Sequence, residues 1–255
     1  MAAALVGLTA ACQSVPYTGR THMMLVSQDE EIQMGEQAYR DTLKKSKLST
    51  DREQVELIRK VGARIAQAAE KPDYRWEFNL LEDGRTLNAW CLPGGKVAFY
   101  TGILPVTRDE NGIAVVMGHE VAHALARHGS ERMSQGMLVN FGGQALSAVL
   151  TQQPAATRQL YGQVYGLGTG LGIMLPYSRK HESEADKIGL ILMAKAGYDP
   201  THALEFWKRM EKAAGGGGKG SPLEGFMRTH PTDADRQRQL QEWLPEVRSQ
   251  YYHPQ

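Results

Sequence analysis

The sequence predicts an α+β protein that is mostly α-helical, with a small β-sheet just ahead of one central helix. Three observations carry that expectation. Apolar residues recur at helical spacing through most of the chain, capping-box signatures mark helix starts, and the period shifts to strict alternation only over a short stretch around Trp76. That stretch lies shortly before "AVVMGHEVAHALARHG", residues 114–129, where two histidines stand four apart and a glutamate follows the first.

The elements follow in order. Residues 12–26 read as an extended segment. Ser27 and Glu30 form a capping box that opens a helix through about Lys45. Thr50 and Glu53 repeat the signature before a helix with Leu57, Ile58, Val61 and Ile65 on one face. In "YRWEFNLLED", Trp76, Phe78 and Leu80 alternate with polar neighbours, as in a half-buried strand. "LNAWCLPGGKVAFYTG" gives two short strands about a Pro-Gly-Gly turn, and the strand near Val97–Tyr100 offers an edge to an extended peptide.

Thr107 and Glu110 make a third capping box, while Arg127, His128 and Gly129 read as stop signals. "GHEVAH" therefore sits well inside a helix. Residues 130–175 are apolar and glycine-rich, with Leu138, Phe141, Gly142, Ala145 and Val149 on one helical face. Packed core helices are the favoured reading there, with a lid or apolar groove as the alternative; neither segment reaches the ~20 apolar residues of a membrane span. A helix follows from Ser178 to a stop at Gly197, and another from Asp199-Pro200 to about Ala213. After the loop "GGGGKGS" a last helix covers roughly residues 233–250.

The chain is 42% hydrophobic and 22% charged over 255 residues, the composition of a globular protein. A net charge of +1 gives no electrostatic basis for binding nucleic acid. Two cysteines exclude a disulfide framework, and Cys91 reads as a small buried hydrophobe. The opening "MAAALVGLTAAC" resembles a bacterial lipoprotein signal. That resemblance implies removal of residues 1–11, lipidation of Cys12 and a membrane anchor, leaving residues 27–255 as a single domain. Gln13, in place of the aspartate associated with inner-membrane retention, points to the outer membrane.

Helix positions four apart lie about 40° apart around the axis, so His119 and His123 can aim two nitrogens at one point. Zinc accepts neutral imidazole, and a catalytic zinc keeps three protein ligands and an open position. Glu120 is placed to reach a water instead of the metal, which makes H-E-x-x-H a mechanism as well as a pattern. The third ligand is sought in "SRKHESEADKIGLILMAKAG". On an ideal helix Glu182, Asp186, Gly189, Met193 and Ala196 share one side, while Glu184, Lys187 and Lys195 face solvent and His181 lies at the surface. Glu182 is then the third ligand to one Zn2+ per chain, and Asp186 accepts the N–H of a ligating histidine.

With "ESEAD" some sixty residues after "HEVAH", the chain resembles the zinc metallopeptidases related to HtpX and the CAAX prenyl proteases. "YTGRTHMMLVS", "LNAWCLPGGKVAFYTGIL", "ESEADKIGLILMAKAGYDP" and "THPTDADRQRQL" extend the likeness to the periplasmic branch that includes BepA and LoiP. The resemblance implies a zincin-like fold and a gluzincin-type endopeptidase, with His119, His123 and Glu182 on zinc and Glu120 as base. In "RTHPTDADR", His230 and Arg236 are candidate catalytic groups: either can serve the oxyanion, and His230 can fill the open zinc position at rest. The implied role is hydrolysis of misfolded or misassembled envelope proteins in the bacterial periplasm, with the outer-membrane protein assembly machinery as a partner. The alternative is an envelope chaperone that binds unfolded protein with little proteolysis.

Overall fold

The computed structural model describes residues 12–141, 154–165, 178–215, 226, 230 and 235–254. The expected signal at residues 1–11 lies outside them, as do the glycine loop at 216–220 and most of the apolar 130–175 region beyond residue 141. Among the described residues no helix is long and apolar enough to cross a membrane.

The extended N-terminal segment folds back on itself. β1 (Cys12–Ser14) pairs antiparallel with β2 (Thr21–Met23), Cys12 opposite Met23. α1 (Gln28–Lys45) starts at Ser27 with both bonds of the capping box made. α2 (Arg52–Ala69) is capped by Asp51 and not by Thr50, because the Asp51 carboxylate reaches the N–H of Gln54 and suits the positive helix end.

β3 (Glu77–Leu81), β4 (Ala89–Leu92) and β5 (Lys96–Tyr100) form one sheet in the order β3-β5-β4. β5 runs antiparallel to β4 across Pro93, Gly94 and Gly95, whose glycines adopt φ of +85° and +79° that suit a residue without Cβ. It also runs parallel to β3. Val97–Tyr100 is thus the middle of the sheet, and the expectation that it offers a free edge is corrected: alternation reports which face is buried, not which neighbours a strand takes.

After the short α3 (Leu104–Thr107) comes α4 (Glu110–Leu125), buried at every position from Gly112 to Leu125. Its cap is Asp109, whose carboxylate accepts from the N–H of Gly112; Thr107, expected in that role, instead closes α3 by donating to the Leu104 carbonyl. α7 (Arg179–Lys195), capped by Ser178, crosses α4 where Gly118 meets Gly189. A Cβ on Gly118 would stand 2.8 Å from the Gly189 carbonyl oxygen, so the two backbones touch only because both residues are glycine.

The helix ends close to the expected stop, α4 closing at Leu125, but a second helix follows at once. Arg127 takes φ of +53°, and α5 (His128–Phe141) starts directly afterwards in a new direction. Arg127 is held in that turn by Nε on Glu31 at 2.9 Å and Nη2 on the Val26 carbonyl at 2.8 Å. α6 (Pro154–Tyr165) packs on α5, and α8 (His202–Gly215) and α9 (Arg236–Tyr251) complete the described helices. The main apolar core joins α2, the sheet, α4, α7, α8 and α9, with Phe99, Met117, Ile188 and Phe206 almost wholly buried.

Candidate metal centre

α4 carries His119, Glu120 and His123 into the core, where all three are buried. The Nε2 atoms of the two imidazoles stand 3.1 Å apart. α7 brings Glu182 against them, with Oε1 3.4 Å from His123 Nε2 and Oε2 3.5 Å from His119 Nε2. His230 Nδ1 lies 3.3 Å from His119 Nε2 and 3.1 Å from Glu182 Oε1. One donor atom from each of these four residues lies within 4.8 Å of all the others.

That set fits zinc. Donors about 2.0–2.1 Å from a tetrahedral zinc lie about 3.3 Å from one another, and the contacts above fall close to that spacing. The charges agree. Burial would push the Glu182 carboxyl up, but His230, His119 and His123 outweigh it and hold the group well below its usual range. Burial would likewise depress His119, yet hydrogen bonds to Asp186 and Glu182 raise it to about 9. A nest of ionised carboxylates that draws a proton onto an imidazole draws a divalent cation by the same attraction.

Around the donors sits a second layer. His119 Nδ1 donates to Asp186 Oδ1 at 3.0 Å, which leaves Nε2 bare on the side of the cluster. Arg236 lies with its guanidinium 3.5 Å from the centre of the Trp207 ring and donates from Nε to Asp186 Oδ2 at 2.5 Å and from Nη2 to Glu182 Oε2 at 3.2 Å. Phe226 stacks on the His230 ring at 4.6 Å. Glu120 Oε1 is buried without a hydrogen-bond partner among the described residues, 3.6 Å from His230 Nε2, and burial raises its pKa.

Sequence reasoning missed a third layer. Glu184, expected in solvent, and His181, expected at the surface, are both buried. Glu184 accepts from His128 Nε2 at 2.9 Å and from Arg20 Nε at 2.8 Å; His181 stacks on His128. Helical rotation does place Glu184 on the far side of α7 from Glu182, but the turn after β1 covers that side. One signal was available: His128 is a third histidine five residues after His123. Trp207 and Phe226 carried no signal beyond being aromatic.

A helix with paired histidines, buried beneath a small sheet and crossed by a second helix bearing a carboxylate, makes the chain a zincin-like metallopeptidase. Residues 52–244 match the model of peptidase family M48, and the chain belongs to that family; the domain is a zinc metalloendopeptidase. It is 36% identical to the mitochondrial metalloendopeptidase OMA1 of Schizosaccharomyces pombe over 91% of this chain and 66% of that protein. It is 31% identical to the protein of the same name from Saccharomyces cerevisiae, over 92% and 70%. The β-barrel assembly-enhancing protease of Escherichia coli is 26% identical over 77% of this chain and 41% of that protein. The chain thus spans about two thirds of the two yeast relatives and less than half of the bacterial one.

These comparisons correct the expected location. The opening residues and the BepA-like motifs imply a lipid-anchored protein of the bacterial periplasm, but relatives of higher identity are mitochondrial by name. The shared motifs report the peptidase chemistry and carry no address. The Cys12 backbone is the first residue of β1.

Proposed function

We propose that the protein is an endopeptidase that hydrolyses peptide bonds in misfolded or misassembled proteins, with His119, His123 and Glu182 as zinc ligands. The observation that carries this reading is Glu120 Oε1, buried beside four converging metal donors with no hydrogen-bond partner among the described residues. When bound there, zinc supplies a Lewis acid that polarises the scissile carbonyl and lowers the pKa of water. Glu120 receives the proton of the attacking water and passes it to the leaving amine. Its raised pKa suits a group that must both take and return a proton.

His230 occupies the fourth donor position at rest and withdraws to admit substrate; its contact with Glu182 on one nitrogen and its approach to Glu120 on the other support this. Arg236 steadies Asp186 and Glu182 through Nε and Nη2, while its buried Nη1 has no hydrogen-bond partner among the described residues and can serve the oxyanion. Zinc-loaded protein incubated with casein, with and without a chelator, tests the reading: cleavage that stops with the chelator and returns with zinc is expected. Binding of unfolded casein without cleavage would favour the chaperone alternative. Two bacterial relatives are named for β-barrel assembly, so an unassembled barrel protein belongs among the substrates tried.

A further inference from the structure

The second imidazole on α4 has its own support, and that support leads to the N-terminal segment. His123 Nδ1 faces His128 Nδ1 at 2.9 Å. His128 is fully buried, with Nε2 2.9 Å from Glu184 Oε2. Glu184 is gripped in turn by the turn between β1 and β2: Thr18 Oγ1 donates to Oε1 at 2.5 Å and Arg20 Nε donates to Oε2 at 2.8 Å. Arg20 also forks across Glu131, with Nη1 and Nη2 at 3.0 and 2.7 Å from its two oxygens.

Proton placement along this chain is determined. An ionised carboxylate only accepts, so His128 carries its hydrogen on Nε2 and presents a bare Nδ1. The short contact at that atom then requires His123 to donate from Nδ1, which turns the lone pair of His123 Nε2 towards the donor cluster. His119 reaches the same state through Asp186. The two ligating histidines thus use different devices: one a direct carboxylate, the other a carboxylate acting through a second imidazole.

On the reading of the metal centre above, we propose that His128 is a positioning residue that sets the tautomer and ring orientation of His123, and that Thr18 and Arg20 of the N-terminal turn hold it there through Glu184. At the His123 contact the role needs only an acceptor at the Nδ1 position. His128→Asn places a carbonyl oxygen near that point, whereas His128→Leu fills the space without an acceptor.

The test measures zinc affinity of the full chain by competition with a chromophoric chelator, beside far-UV circular dichroism and thermal melting. His128→Leu is expected to weaken zinc binding about 10–100-fold, the usual effect of removing support behind a ligand. His128→Asn is expected to recover most of that loss, and Arg20→Ala to weaken binding in the same direction by less. Wild-type affinity in His128→Leu, or equal weakness in the leucine and asparagine variants, overturns the proposal. If His128→Leu does not fold, the asparagine and Arg20 variants decide: zinc affinity unchanged in Arg20→Ala, or lost in folded His128→Asn, overturns it. Wild-type protein that binds no zinc would instead refute the metal-centre reading itself.

Discussion

His119 Nδ1 stands 3.0 Å from Asp186 Oδ1, with both side chains buried. The carboxylate also takes the Arg236 guanidinium at both oxygens, so the imidazole is held by a group that is itself held. Asp186→Asn replaces one of those acceptors with an amide donor facing either His119 or Arg236. Zinc affinity should fall about 10–100-fold, as read by chelator competition.

Glu120 carries the proton-transfer role, and Glu120→Gln keeps the shape without the base. The variant should retain full zinc content by metal analysis and lose about 10²–10⁴-fold in kcat on a peptide substrate. Normal turnover, with contaminating protease excluded, would end the assignment.

His230→Ala vacates the position now 3.3 Å from His119 Nε2. With cobalt in place of zinc, the visible absorption spectrum should change in intensity and position, because one nitrogen donor is replaced by water. An identical spectrum would remove His230 from the fourth position.

Gly189→Ala tests the helix crossing. The added Cβ would lie 3.0 Å from the His119 backbone nitrogen, forcing α4 and α7 apart just beside the donors. The cost should be about 1–3 kcal/mol in urea unfolding, the range for overpacking a tight core.

Acid stability should report Glu131. Burial alone would raise its pKa, but hydrogen bonds from His181, His22 and Arg20 hold it well below the usual carboxylate range. A depressed folded pKa stabilises fully above the unfolded value of about 4.3, and the effect is lost as pH falls from there towards the folded pKa. The melting-temperature advantage of wild type over Glu131→Gln should therefore be constant from pH 7 to about pH 5 and shrink below about pH 4. An advantage that does not shrink between pH 4 and pH 2.5 would contradict the pairing.

What could be read from the sequence was local. Ser27 and Glu30 specify a start that needs only the next turn of backbone, and the capping box forms as expected. The one-turn spacing of His119 and His123, and of Glu182 and Asp186, follows from helical rotation, and each pair shares a face. What could not be read depends on partners distant in the chain. Glu184 looks solvent-facing until Arg20, 164 residues away, is known to lie over it. Arg127, His128 and Gly129 mark the end of α4 correctly, but the Glu31 carboxylate that holds Arg127 in its turn sits 96 residues earlier. The parallel pairing of β3 with β5 is likewise invisible to alternation.

The left-handed residue at Arg127 limits what could be moved into another scaffold. On an unbroken helix, positions 123 and 128 point about 140° apart, and their side chains would diverge; the bend lets them meet. A designer who grafted only the segment from residue 114 to 125 would transplant two imidazoles and a carboxylate but nothing to keep the second ring facing its target. The smallest portable cassette runs past the bend into the first turn of the following helix, and it brings with it the need for an anion to lodge that arginine.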